Sequence, residues 1–164
     1  MSYVYYKNYD SPNYTPKSSV VRVFGVRRII NSITVHHWGD PKQSPTFYGI
    51  INWLCRKNGT SSAHAVIEAG RVACLVDYKD ASWHAGNKLG NATSIGLELN
   101  PRCSSGDYST AAEHIADIWM VYGKLPLIPH KHWRATECPG NYKLDRLKKE
   151  AEVWYERKKA KKLK

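Results

Sequence analysis

A short segment in the last third of the chain carries side chains that could bind a transition metal. Residues 129–140 include the imidazole of His130 and the thiol of Cys138, and the segment ends in a Pro-Gly pair. Imidazole nitrogen and thiolate sulfur are both ligands that zinc accepts, but their spacing here matches no zinc finger. The third ligand must therefore come from another part of the chain.

The adjacent residues His36 and His37 are the natural source of that third ligand. They end the segment 32–37, whose alternating, β-branched residues predict a β-strand. Neighbouring strand residues face opposite sides, so only one histidine can reach a shared metal, and periodicity does not decide which. Three protein ligands would leave the fourth position of a zinc ion open for water, as in catalytic sites. The competing interpretation is a pair of surface histidines and a buried, unreactive thiol.

The pattern of apolar residues predicts the elements that must position these groups. From Thr46 the apolar residues recur at helical spacing until Asn58-Gly59, which predicts a helix with one buried face. Alternation and turn residues predict further strands and a loop. The strands cover residues 63–68, 72–77 and 94–100, and the loop covers residues 83–92.

Two helices are predicted for the C-terminal part of the chain. Thr110 and Glu113 have the spacing of a capping box, and apolar residues follow them at helical spacing. A second long helix begins near Asn141, with apolar residues on one face and lysines on the other. Helices that flank a small mixed central β-sheet form an α/β architecture, and this is the fold we expect.

The composition is that of one globular domain. Of the 164 residues, 42% are hydrophobic, and no apolar run approaches the roughly 18 residues that a membrane span needs. The first residues lack the charged and then apolar pattern of a signal peptide, so we expect a protein made in the cytoplasm. The four cysteines are too few for a disulfide scaffold, which favours free thiols.

The net charge of +11 favours an anionic partner. Nucleic acid, an anionic membrane and a phosphate-rich cell wall all fit that charge, and charge alone does not choose among them. More than half of the excess lies in the last predicted helix and the tail, over residues 143–164. At the other end, residues 1–20 contain five tyrosines without a helical period, which predicts an extended arm.

Four sequence blocks together resemble the type 2 N-acetylmuramoyl-L-alanine amidases, a family that includes phage endolysins, a wall-recycling amidase and animal peptidoglycan recognition proteins. The blocks are residues 33–37 (ITVHH), 62–67 (SAHAVI), 83–86 (WHAG) with 94–98 (SIGLE), and 130–140, which ends in TECPG. The resemblance spans residues 33–147. Each block alone is weak evidence, but their joint occurrence in the family's order is specific.

The resemblance implies a zinc site and a catalytic base. His36, His130 and Cys138 align with the family's three metal ligands, so the first histidine of the adjacent pair would be the one that binds. Glu98 aligns with the general base of the endolysin and recycling-amidase branch. Other branches carry a tyrosine where this chain has Ala63, and the absence of that tyrosine points to the same branch.

Further residues beside the motifs are candidates for contact with the substrate. His84 and Thr136 align with family positions that hydrogen-bond the substrate or its developing oxyanion. His132 stands where many relatives have Asp, which puts the local hydrogen bonding in doubt but not the metal. The flanking tryptophans could stack on sugar rings or pack in the core. They are Trp38, Trp83 and Trp133.

The function that the resemblance implies is zinc-dependent hydrolysis of the amide between N-acetylmuramic acid and L-alanine in bacterial peptidoglycan, as in a phage endolysin. The catalytic domain would cover residues 21–157, after the arm of residues 1–20. Residues 158–164 would be a basic tail or the start of a linker, able to touch anionic wall polymers. We expect a monomer that gathers in the host cytoplasm before lysis and acts on the cell wall after release.

Two other functions fit parts of the sequence. A relative that kept the peptidoglycan groove but lost turnover would be a recognition module, and the intact Cys138 argues against that. A nucleic-acid-binding protein would fit the basic tail and the many aromatic residues, but the chain carries no recognised nucleic-acid motif. The sequence therefore favours the amidase.

Overall fold

The computed structural model describes residues 2–39, 41–43 and 46–162, so residues 163 and 164 of the expected basic tail lie outside the described part. The strands are β1 (Val4–Tyr6), β2 (Tyr14–Thr15), β3 (Ser32–His37), β4 (Ala65–Glu68), β5 (Arg71–Cys74), β6 (Ala81–Ser82), β7 (Ser94–Leu99) and β8 (Leu127–Pro129). The helices are α1 (Val20–Phe24), α2 (Phe47–Leu54), α3 (Lys88–Thr93), α4 (Ser105–Tyr122) and α5 (Leu144–Lys162). Within these described ranges, no helix has the length and apolar character that crossing a membrane requires.

Six strands form one mixed sheet in the order β1-β5-β4-β7-β3-β8, and β2 pairs separately with β6. The β4–β5 pair is antiparallel, and the other pairs of the large sheet are parallel. This small mixed sheet with flanking helices confirms the predicted α/β fold. Strand β8 was not predicted, because three residues are too few to show an alternating pattern.

Different helices cover the two faces of the sheet. Helices α4 and α5 pack on one face, where Ile33 and Leu97 of the central strands are buried with Leu147 of α5. Helix α2 packs on the other face, where its Phe47 is buried in one cluster with Val66 of β4. Since successive strand residues alternate between faces, the residues of β3 divide between the α4–α5 core and the side covered by α2. The polar site described below lies on the α2 side.

The start of α4 differs from the prediction. The helix begins at Ser105, and its capping box is formed by Ser104 and Asp107 instead of Thr110 and Glu113. The Ser104 hydroxyl accepts from the Asp107 N–H, and the Asp107 carboxylate accepts from the Ser104 N–H. Thr110 lies inside the helix, where its hydroxyl accepts from the backbone of Gly70. The capping spacing occurs twice in this stretch, and local sequence does not show which copy lies at the helix end.

Other boundaries differ by smaller amounts. Helix α3, Lys88–Thr93, begins inside the predicted 83–92 loop, and the Asn87 side chain caps it by accepting from the Gly90 N–H at 3.0 Å. Strands β4 and β5 are each shorter than predicted, and α5 begins three residues after Asn141. A short helix that contains glycine and asparagine carries little periodic signal, so its pattern is easily taken for a loop.

Residues near the N-terminus pair with the sheet and reach a buried cluster on α4. Strand β1 pairs in parallel with β5 at the sheet edge. The Tyr3 hydroxyl donates to Asp117 Oδ2 at 2.7 Å and accepts from His114 Nδ1 at 2.8 Å. The Tyr78 hydroxyl donates to the other ring nitrogen of His114. Both ring nitrogens of a neutral His114 therefore have a hydrogen-bond partner.

We expect this cluster to make the stability of the fold depend on pH. Burial lowers the pKa of His114 to about 4, helped by the charge of Lys158 and opposed by the nearby Asp117 and Glu113. The unfolded ring has a pKa near 6.5, so the unfolded state gains protons first as the pH falls. The stabilisation is therefore complete above about pH 6.5 and is lost towards pH 4. Between pH 7 and pH 4.5, His114 should account for a loss of about 2–3 kcal/mol in unfolding free energy.

Urea unfolding of the wild type and of His114→Gln at pH 7 and pH 4.5 tests this expectation. Glutamine does not titrate, so the variant should lose about 2–3 kcal/mol less than the wild type between the two pH values. His114→Gln also changes hydrogen bonds, and that cost is the same at both pH values. Comparing the change in unfolding free energy between the two pH values removes it. An identical pH dependence of the two proteins would show that His114 does not carry the effect.

Candidate functional site

Three possible metal ligands converge at one end of the central strands. His36 lies in β3, His130 directly follows the neighbouring parallel strand β8, and Cys138 lies in the loop before α5. One ligand atom from each of the three lies within 4.8 Å of the others. The Cys138 sulfur is 3.8 Å from His36 Nδ1, and the rings of His36 and His130 are 4.3 Å apart between centroids. This cluster has the dimensions of a site for a single metal ion.

The chemistry of the cluster suits zinc. Burial, followed by the neighbouring imidazoles, keeps the pKa of His36 well below its usual value, so the ring is neutral and can offer a lone pair. Burial and the charge of Glu98 raise the pKa of the Cys138 thiol to about 12, while an N–H donated by His37 partly offsets them. Two neutral imidazole nitrogens and one sulfur form a donor set that zinc accepts. The residues present therefore fit this metal.

The neighbouring His37 is not part of the cluster, which consists of His36, His130 and Cys138 among the described residues. Its ring lies against Gly140, where an added Cβ would come within 2.7 Å of the imidazole. Gly140 also has a φ of +62°, so a side chain at this position would be strained as well as crowded. The alternation of the strand thus separates the two histidines, and His36 is the one that joins His130 and Cys138.

Glu98 lies beside His36 on the adjacent strand. The two residues are register partners in the parallel β3–β7 pair, so their side chains project from the same face of the sheet. Glu98 Oε2 is buried and has no hydrogen-bond partner among the described residues. Burial raises the pKa of Glu98 to about 7. A carboxyl group with this pKa can both accept and return a proton near neutral pH.

A small open cleft of about 190 Å³ gives access to Glu98. Its walls include Ser62, Trp83, His84 and the exposed indole of Trp53 at the end of α2. The Arg56 guanidinium stacks on Trp53, with its central carbon 3.6 Å from the ring centroid. Sequence reasoning missed Trp53. The available signal was an aromatic residue that does not belong to the buried face predicted for that helix.

The three tryptophans predicted to contact sugars have different environments. Trp83 is partly exposed in the cleft, and its indole N–H donates to Thr15 at 2.9 Å. Trp38 is only 2% exposed and packs with the α2 core, which favours the core role among the two that the sequence left open. Trp133 is half-buried and donates its indole N–H to Thr34 at 2.9 Å.

His84 and Thr136, the two residues predicted to act on the oxyanion, differ in their hydrogen bonding. Both ring nitrogens of His84 are hydrogen-bonded inside the protein, to His36 Nε2 at 2.9 Å and to Ser94 Oγ at 3.1 Å, so neither is directed at a substrate. Thr136 Oγ1 accepts from the Cys138 N–H at 3.2 Å and helps to shape the ligand loop. That contact leaves the Thr136 hydroxyl proton for another acceptor.

Solved structures of bacterial proteins share this fold. The hydrolase AmiA of Staphylococcus aureus, solved in complex with its ligand, has a TM-score of 0.76 at 17% identity, over 98% of this chain and 87% of that chain. A mutant endolysin from Bacillus subtilis has a TM-score of 0.70 at 19% identity, over 91% and 99% of the two chains. The N-acetylmuramoyl-L-alanine amidase LysC from Clostridium intestinale has a TM-score of 0.60 at 18% identity, over 91% and 97%. At these identities the likeness defines the fold alone.

The sequence defines the family. Residues 26–141 match the family described as N-acetylmuramoyl-L-alanine amidase, which is well over half of the chain. No curated protein sequence matches the chain. The chain therefore belongs to the N-acetylmuramoyl-L-alanine amidase family, and the assignment made from the four sequence blocks is confirmed.

Proposed function

We propose that this chain is a zinc-dependent N-acetylmuramoyl-L-alanine amidase that cuts the amide between the lactyl group of N-acetylmuramic acid and L-alanine. The observation that carries the proposal is the convergence of His36, His130 and Cys138 beside Glu98. Three protein ligands leave one coordination position of a tetrahedral zinc for solvent, as a hydrolytic site needs. Glu98 lies on the next strand, and its buried Oε2 has no hydrogen-bond partner within the described part of the chain.

In the proposed mechanism, bound zinc would lower the pKa of a water molecule towards about 7 and polarise the scissile carbonyl. Glu98 accepts the proton of the attacking water through its carboxylate and then returns it to the departing amine of L-alanine. Its pKa of about 7 suits both transfers, because neither protonation state is strongly favoured at neutral pH. Thr136 donates its hydroxyl proton to the developing oxyanion, which is typically worth a few kcal/mol.

The cleft supports a glycan substrate with an attached peptide. Trp53 and Trp83 present aromatic surface on its walls, and sugar rings pack well on such surfaces. Arg56, stacked on Trp53, adds a fixed positive charge at the edge. We assign the sugar contact to Trp53 and Trp83, and we place the buried Trp38 and the half-buried Trp133 in supporting roles.

We further propose that the enzyme is a phage endolysin that gathers in the host cytoplasm and reaches the wall after release. The glutamate-base motif, together with Ala63 in place of tyrosine, supports this branch of the family. The basic residues of α5 would draw the enzyme to anionic wall polymers, because charges of one sign raise the local concentration of an oppositely charged polymer. Lys158 is not part of that surface, since Glu113 and Asp117 hold it at 3.0 and 2.8 Å.

The direct test is to remove metal from the protein with a chelator, add back zinc, and analyse the products from purified peptidoglycan by mass spectrometry. We expect the metal-free protein to be inactive and zinc to restore the release of stem peptides with free L-alanine amines. New reducing ends would instead identify a glycosidase. Binding of peptidoglycan without any release by the zinc-loaded protein would identify a recognition module.

A further inference from the structure

A chain of hydrogen bonds leads from His36 into the protein interior. His36 Nε2 lies 2.9 Å from His84 Nδ1, and His84 Nε2 lies 3.1 Å from Ser94 Oγ. The Ser94 hydroxyl in turn donates to the backbone carbonyl of Gly90 at 2.7 Å. His36, His84 and Ser94 are all buried, so bulk water does not compete for these contacts.

The carbonyl at the inner end sets the direction of every bond in this chain. A carbonyl oxygen can only accept, so the single proton of the Ser94 hydroxyl is committed to Gly90. Ser94 can then only accept from His84, which must carry its proton on Nε2. A neutral imidazole has one N–H, so His84 Nδ1 must accept from the Nε2–H of His36. The remaining nitrogen of His36, Nδ1, is left with a lone pair, and it is the atom 3.8 Å from the Cys138 sulfur.

A neutral His84 is required by its surroundings. Its ring is buried, and the described structure gives its two nitrogens only His36 and Ser94 as hydrogen-bond partners, neither of which is acidic. A buried imidazolium without an anionic partner is strongly disfavoured. The His84 ring also packs directly against Gly96, where an added Cβ would lie 2.3 Å from His84 Cγ. Only glycine at this position of β7 leaves room for the ring.

Thr34 completes the hydrogen bonding of Ser94, and Trp133 in turn bonds to Thr34. Thr34 donates its hydroxyl proton to Ser94 Oγ at 2.8 Å, and Trp133 donates its indole N–H to Thr34 at 2.9 Å. Ser94 Oγ therefore accepts twice and donates once, which uses its full capacity. If His84 Nε2 accepted instead, Ser94 would have to donate to both His84 and Gly90, and its hydroxyl has only one proton. The network therefore permits one arrangement.

We propose that Ser94 and His84 are positioning residues that fix the tautomer of His36, with Nε2 protonated and Nδ1 ready to bind the metal. This inference deepens the proposed zinc site and depends on it. His130 is prepared in a similar way, because its Nε2 donates to the carbonyl of Ala85 at 3.1 Å and so leaves Nδ1 unprotonated. Outer groups that orient metal-binding histidines typically contribute 10–100-fold to metal affinity.

The test compares Ser94→Ala with Thr34→Val. Ser94→Ala removes the acceptor for His84, so the two imidazoles can reverse and place a proton on His36 Nδ1, which zinc must then displace. We expect a zinc Kd about 10–100-fold weaker, measured by competition with a chromophoric chelator. Thr34→Val removes an equally buried hydroxyl of the same network but leaves the Ser94 proton on Gly90. It should weaken zinc binding far less.

Nitrogen-15 NMR of the metal-free proteins gives a second readout that needs neither zinc nor activity. In the wild type, His36 and His84 should both be protonated on Nε2, and in Ser94→Ala part of the His36 signal should move to the Nδ1–H form. Wild-type His84 protonated on Nδ1 would overturn the proposal even if Ser94→Ala did not fold. Zinc binding by Ser94→Ala with the wild-type Kd would also overturn it. Failure of the wild type itself to bind zinc would instead refute the proposed metal site.

Discussion

Replacing Glu98 with glutamine should reduce amide hydrolysis by about 10²–10⁴-fold while zinc stays bound. Glutamine has nearly the same shape but cannot accept the proton of the attacking water. The three residues proposed as ligands are unchanged, so the loss should fall on kcat and not on metal content. The measurement is the initial rate of stem-peptide release by the zinc-loaded variant, together with the zinc content of the same sample.

A matched control is Glu137→Gln, which removes the same charge one residue from Cys138. The Glu137 side chain is exposed and does not line the cleft, so its loss should leave activity unchanged. The metal-free Glu98→Gln protein should unfold no more easily than the wild type, because the buried Oε2 has no partner to lose among the described residues. Full activity of Glu98→Gln would remove Glu98 from the role of base.

The sheet and its main helices could be predicted because their signals are local. Alternation in residues 32–37 and 94–100 and helical spacing after Thr46 each follow from burying one side of an element. The start of α4 could not be predicted in the same way. Two capping motifs compete there, and the burial of Thr110 against Gly70 decides between them. Such a contact between distant residues leaves no mark on the local pattern.

The candidate metal-binding cluster could be predicted only in part from the sequence. The residue types in the His130 to Cys138 loop indicated zinc, but strand alternation left the choice between His36 and His37 open. The structure shows why that choice depends on topology: β3 lies between β7 and β8, so one face of β3 meets both Glu98 and the start of the ligand loop. The resemblance to a family supplied this information before the structure did.

The residues around the cluster were the hardest to predict. Trp38 and Trp53 are the same residue type, yet one is 2% exposed and the other 57% exposed. His84 was expected to face the substrate, and its partners turn out to be His36 and Ser94. Burial and hydrogen-bond direction are properties of the assembled fold, and one-dimensional spacing does not encode them.

Changing Cys138 to serine should damage the metal site more than any change in its surroundings. A thiolate is a strong zinc ligand, whereas a serine hydroxyl stays protonated and binds zinc weakly. The zinc Kd should therefore weaken by more than the 10–100-fold expected for the loss of an outer partner. Hydrolysis should fall in parallel at limiting zinc and recover partly at high zinc.

Cys55→Ser is the control, because it removes another free thiol, and among the described residues the group of possible ligands does not include Cys55. It should bind zinc as tightly as the wild type, measured by the same chelator competition.

The thiol of Cys138 has a pKa near 12 without metal, so zinc binding at neutral pH must displace its proton. Calorimetry in buffers of different ionisation enthalpy should therefore detect a proton released by the wild type and by Cys55→Ser, but none by Cys138→Ser. Equal proton release by all three proteins would mean that zinc does not bind through this sulfur.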